Sequence, residues 1–121
     1  MKNNHKKSYM QGVLVVLLSM VASLAIAGGA ILTWNASPTD PAIVTGYKLY
    51  RGTASGTYQL SQTLGKVTTA TESSLTAGTK YFWVVTAFNS AEESPYSNEA
   101  SATIPFAIPG AATGLNAVGT P

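Results

Sequence analysis

The sequence predicts an all-β protein, a two-layer sandwich of short antiparallel strands, and three observations predict it. Past residue 28, β-rich runs are separated every 8 to 12 residues or so by clusters of Gly, Pro, Asn and Ser, the rhythm of a sandwich or barrel. Within those runs apolar and polar residues alternate, which is the period of a strand with one buried face. Only 10% of the 121 residues are charged, while Ser, Thr, Gly and Ala abound, a balance closer to β-rich secreted proteins than to helical cytosolic ones.

The first element reads as an address. Residues 1–12 are polar and carry Lys2, Lys6 and Lys7, residues 13–27 are apolar, and Ala25-Ile26-Ala27 has the small-x-small form that signal peptidase accepts. Residues 1–27 are therefore expected to be a signal peptide cleaved after Ala27. The alternative is a retained membrane anchor, because the uncharged run continues to Leu32, about 20 residues, enough to span a bilayer. Both readings put the residues after 28 on the far side of a membrane, secreted or at the cell surface. The chain has no cysteine, so neither a lipoprotein anchor, nor a disulfide, nor a thiolate metal site is available.

Six strands are then expected, at residues 30–35, 45–51, 58–63, 68–72, 80–89 and 98–104, in one sandwich spanning 28–105. Alternation turns Leu32 and Trp34, Tyr47 and Leu49, and Tyr81, Trp83, Val85 and Ala87 to the inside, with Leu75 joining from a corner. The run from Arg51 to Gly56 reads as a hairpin turn, not a phosphate loop, since it lacks the strand-loop-helix setting and the lysine of a phosphate cradle.

Ile31-Leu32-Thr33-Trp34, Gly46-Tyr47-Lys48-Leu49-Tyr50-Arg51, Leu75-Thr76-Ala77-Gly78-Thr79-Lys80-Tyr81 and Ala87-Phe88-Asn89 followed by Glu92-Glu93-Ser94 and Ser97-Asn98-Glu99 come in a distinctive order. In that order the chain resembles the fibronectin type III family, especially its bacterial extracellular members, along most of residues 30–105. The resemblance implies an immunoglobulin-like sandwich with Trp34 filling the middle of the core and a corner in which the Tyr81 hydroxyl ties back to upstream backbone. Family members normally open with a strand ahead of the tryptophan strand. A cut after Ala27 leaves only residues 28–30 there, so the first strand looks missing. Residues 106–121 form a Pro/Gly/Ala-rich tail in which 109–118 resembles the opening strand of a following repeat. Three readings stand for this tail: a truncated tandem array, disorder, or a strand donated to a second copy through Leu115, Ala117 and Val118, giving head-to-tail filaments.

From Gly28 onward four cations stand against five carboxylates, a net charge of −1, which argues against nucleic acid as a partner. The same stretch holds no His or Cys and one Asp, Asp40, so nucleophile, base and metal sets are wanting and no enzyme, metal site or cofactor is expected. Glu92 and Glu93 read as a solvated turn. On the outward face of the sheet, Tyr50, Phe82, Val84 and Phe88 form an apolar band rimmed by Lys48, Lys80 and Thr86, a candidate contact surface for protein or sugar. The expected function is an exported structural or adhesive protein–protein interaction module, with other copies of itself among its partners. The alternatives are an accessory carbohydrate-binding module that takes a polysaccharide, or a fragment of a larger exported multidomain hydrolase. Membrane contact is expected only if the N-terminal apolar segment is retained.

Overall fold

The computed structural model describes residues 20–38 and 41–119. The alternating runs become strands β1 (Met20–Ile26), β2 (Gly29–Trp34), β3 (Gly46–Ala54), β4 (Thr57–Leu64), β5 (Thr69–Glu72), β6 (Lys80–Phe88) and β7 (Ala100–Thr103), with one short 3-10 turn at Pro41–Ile43. They form two antiparallel sheets, β1-β2-β5 and β4-β3-β6-β7.

The core fills the space between the sheets, as alternation requires when each sheet buries one face. β2 contributes Ala30, Leu32 and Trp34, β3 contributes Tyr47 and Leu49, and β6 contributes Tyr81, Trp83, Val85 and Ala87, closed by Val44, Ala70, Leu75 and Ile104. Trp34 meets Tyr47 edge to face, with ring centroids 5.8 Å apart. At the corner before β6 the Tyr81 hydroxyl accepts a hydrogen bond from Thr76 N–H at 3.0 Å. Gly78 occupies the left-handed region there (φ 80°), which glycine reaches without the Cβ clash other residues incur.

One polar group enters this layer. Glu72 is 3% exposed because β5 turns Ala70 and Glu72 inward. Its carboxylate accepts from Arg51 Nη1 at 2.9 Å, Ser61 Oγ at 2.8 Å, Gln62 Nε2 at 2.5 Å and Trp83 Nε1 at 3.3 Å. The Arg51 guanidinium also lies over the Tyr81 ring, 5.6 Å from its centroid. A buried carboxylate is tolerable only when its lone pairs are met in this way.

The uncut chain holds a strand ahead of the tryptophan strand, within the residues that the sequence reads as a leader. β1 pairs with β2 from Met20 opposite Trp34 to Ile26 opposite Gly29, which carries the sandwich back from residue 28 to Met20. The physical reason is that a continuous apolar run serves a leader and a strand alike, and periodicity does not separate the two. Ala25 packs against the core, while Leu24 and Ile26 stay 60% and 41% exposed. Asp40 and residues 1–19, which include the cationic part of the expected leader, lie outside the described residues.

Both β1 and β7 end at the same pole. Leu75 N–H bonds to Gly28 O just past β1, and Gly78 N–H bonds to Ile104 O just past β7. Phe106 lies against Gly78, so close that a Cβ on that glycine would fall 2.9 Å from the Phe106 ring. Beyond it residues 107–119 are exposed, without strand or helix.

Candidate functional site

The outer face of the four-stranded sheet is built by cross-strand pairs: Lys48 opposite Thr86, Tyr50 opposite Val84, and Gly52 opposite Phe82. β4 adds Leu60 opposite Tyr50, and Tyr58 two residues earlier on the same face. The chain then returns over this face after β6. Asn89 Oδ1 accepts from the N–H groups of Ala91 and Glu92, each at 2.8 Å, the turn that asparagine favours. Residues 93–97 run back beside β6. Ser94 N–H reaches Ala87 O and Ser97 N–H reaches Val85 O, while the hydroxyls of these two serines accept from Ala87 N–H and Val85 N–H, each at 2.9 Å.

This return lays Tyr96 between Tyr50 and Tyr58, edge to face with each at 5.3 Å between centroids. Two carboxylates lock the row. Glu93 accepts from the Tyr50 hydroxyl, from Thr86 Oγ1 at 2.7 Å and from Lys48 Nζ at 3.3 Å. Glu99 accepts from the Tyr58 hydroxyl, from Ser55 Oγ at 2.9 Å and from Gly56 N–H at 3.2 Å. Partial burial pulls the Glu93 carboxyl up, but the bonds from Tyr50, Thr86 and Lys48 together hold it below the usual carboxylate range. Tyr50 is pushed up to about 12, first by burial and then by Glu93. The Tyr58 hydroxyl bond leads in lowering Glu99.

A raised tyrosine pKa favours the folded state below the ordinary value of 10.0, and that contribution is lost as pH climbs to about 12. The row is therefore expected to loosen across this window, and Tyr50→Phe to abolish that part of the alkaline transition. Stability titrations of both proteins check it, and identical alkaline limbs would refute the link.

Of the residues expected in the contact band, Tyr50, Phe82 and Phe88 are half-buried on this face. Val84 is not available: it is 2% exposed, beneath the side of the sheet that Tyr50 and Tyr96 cover. Alternation sets the direction of a side chain and says nothing of what later folds across it. The same return buries Thr86, at 1% exposed, so it is no rim. Lys48 lies 5.1 Å from the Phe88 centroid and Lys80 5.3 Å from that of Phe82, each cation capping a ring. Glu93 is exposed, as the turn reading expects, and its carboxylate is also held by Tyr50, Thr86 and Lys48.

Trp34, Tyr47, Leu49, Leu75, Tyr81, Trp83 and Val85 lie in the core, and Leu115, Ala117 and Val118 lie exposed in the tail. Tyr58, Tyr96, Glu72 and Glu99 escaped the sequence reading. The alternation of Tyr58 with Leu60 was a usable signal for the first, whereas Tyr96 and Glu99 sit in a stretch without periodicity. Val84→Lys is accordingly expected to unfold the domain, whereas Tyr96→Lys, at a 52% exposed ring, leaves it folded. Circular dichroism of both variants checks this.

Two clefts are present, one of about 280 Å³ by Arg51, Gln59 and Tyr81, on the side of the sheet that faces Glu72, and one of about 370 Å³ beside the row by Tyr50, Glu93 and Tyr96. They sit at the small end of the roughly 300 to 1,000 Å³ of ligand sites. Among the described residues no group of three His, Cys, Asp or Glu is placed to hold a metal ion.

The fold recurs widely among solved structures. A portion of the β-1,2-glucanase from Parabacteroides distasonis superposes with a TM-score of 0.67 at 22% identity, covering 76% of this chain and 13% of the glucanase. A human fibronectin type III domain gives 0.68 at 17% identity, covering 95% of this chain and 92% of that domain. An Fn3-like protein from Clostridium thermocellum gives 0.59 at 31% identity, over 74% of this chain and 94% of that one. A search of curated proteins finds no match to the chain. The sequence model of the fibronectin type III domain matches residues 25–103, the stretch that holds the tryptophan strand, the tyrosine corner and the serine-bonded return, and the chain belongs to the fibronectin type III family.

Proposed function

We propose that this domain is an exported protein–protein interaction module, secreted or held at the cell surface, that works by surface complementarity and carries out no catalysis. Fibronectin type III domains generally mediate protein–protein interactions, are generally non-catalytic and are commonly extracellular. The observation that carries the reading is the tyrosine row Tyr50–Tyr96–Tyr58 with its anchoring carboxylates, a preorganised aromatic surface of the kind that loses little side-chain freedom on binding. Export is read from residues 1–27. Mass spectrometry of protein recovered outside the cell is expected to begin at Gly28, and a mass that keeps residues 1–27 would establish an anchor instead. For the surface itself, Tyr96→Lys is expected to abolish capture of the protein partner from an extracytoplasmic extract while thermal melting stays within a few degrees of the parent. Capture unchanged by Tyr96→Lys and Tyr58→Ala would move the contact elsewhere.

Other copies of the chain are among the proposed partners, through the exposed tail that carries Leu115, Ala117 and Val118. A polysaccharide is the second reading, favoured by the same three rings, since sugar rings stack on exposed aromatic faces. Cosedimentation with insoluble polysaccharides separates the two, because a protein-binding row leaves the domain in the supernatant.

A further inference from the structure

Met20–Ile26 is at once β1 and the last part of the apolar leader, and cleavage after Ala27 removes it. The edge of β2 from Gly29 to Trp34 then loses its partner, and the core loses Ala25. We propose that the edge so opened accepts residues Thr113–Val118 of a second copy, so that β1 holds assembly off until the leader is cut; the inference rests on the export reading above.

Three observations support it. First, the tail offers a strand of suitable pattern. With Ala117 in the place of Ala25, Leu115 takes the half-buried position of Ser23 and adds apolar contact, while Asn116 takes that of Leu24. β1 leaves Leu24 60% exposed, and asparagine suits that position better than leucine. Second, the donor is free: Leu115 and Val118 are 97% and 86% exposed, and no strand takes up residues 107–119.

Third, the direction favours a neighbour over the same copy. β1 runs toward the Leu75–Gly78 pole, and the tail leaves from that pole. A strand that replaces β1 in the same sense must enter from the opposite end. Within one copy the chain would have to double back along the whole edge in nearly extended form, since the seven steps from Phe106 to Thr113 span about 23 Å and the six donor positions alone take up about 17 Å. Copies in line place each exit at the next entrance, and the added strand supplies backbone hydrogen bonds and apolar anchors to a bare edge.

The test uses the full chain exported from cells, and it begins with the mass. Sedimentation velocity of the processed protein is expected to move from monomer to dimer and longer species as concentration rises. Leu115→Asp, at a position 97% exposed in the single copy, is expected to return it to monomer. The chain has no cysteine, so register is read with Ile31→Cys and Asn116→Cys together, because Leu24 pairs with Ile31. Oxidation is expected to yield a ladder of covalent oligomers, and Thr33→Cys with Asn116→Cys only traces. A mass retaining Met20–Ile26 overturns the cleavage reading and the proposal with it. A mass beginning at Gly28 with monomer at every concentration overturns strand acceptance alone.

Discussion

Trp83→Ala is expected to leave the domain largely unfolded at room temperature. Trp83 is fully buried at the middle of β6, where its ring tilts against Tyr81 at 6.0 Å. Truncation of a buried tryptophan costs about 3 to 5 kcal/mol in lost transfer and cavity formation. A small domain has only about 5 to 15 kcal/mol in total. The indole N–H is also one of the donors to Glu72, so the variant leaves a buried acceptor less well satisfied. Urea denaturation is the measurement, and the midpoint should fall by about 2 M or more. A fall under about 0.5 M would mean that the core closes around the gap.

Glu72→Ala should come close to that effect by a different route. It strands the Arg51 guanidinium, the Ser61 hydroxyl and the Trp83 indole at once and takes one of two acceptors from the Gln62 amide, which keeps Thr71 O. Breaking a buried ion pair from one side costs about 3 to 5 kcal/mol, and Arg51, with its side chain 36% exposed, regains some water, which places the expectation at the lower end. Glu72→Gln keeps the shape and an acceptor oxygen, so about half that loss is expected. Replacing both partners, Arg51→Met with Glu72→Leu, should recover much of it, since apolar groups of similar size leave no charge unmet. Chemical denaturation of the four proteins decides it: equal losses for Glu72→Ala and Glu72→Gln would show that the charge alone is at stake, and a Glu72→Gln as stable as the parent would show that shape and an acceptor oxygen suffice. The effects of Trp83 and Glu72 are not expected to add, because the two side chains touch.

The sandwich was legible in the sequence because alternation and burial are the same fact seen at two scales. Trp34, Tyr47 and Trp83 announce the inner layer by position alone, and Tyr81 announces its corner by following Leu75 and Gly78 at a fixed distance. β1 was not legible, since the apolar run that suits a leader also suits a strand, and the small Ala25 that suits a peptidase also pairs beside Ala30. The outer face was half legible. Tyr50 and Val84 point outward as alternation demands, but coverage of Val84 depends on a return of the chain whose hydrogen bonds come from serine hydroxyls. Hydroxyl bonding of that kind leaves no periodic trace. Glu92 and Glu93 are chemically alike, and only the fold distinguishes the one that meets Tyr50 and Thr86.

Those serine hydroxyls have a consequence for solubility. In an ordinary ladder, every second N–H and C=O of an edge strand faces outward and is a template for another chain. Ser94 and Ser97 meet the outward N–H groups of Ala87 and Val85 with side-chain oxygen, and Pro95 between them has no N–H to offer. A neighbouring molecule that arrives at this margin finds donors already occupied and a spacing that no extended strand can match. The four-residue β7 continues the same margin for too short a distance to seed a cross-β stack. Crowded solutions of the domain should therefore resist fibril growth from this side, and Ser94→Val with Ser97→Val would reopen it.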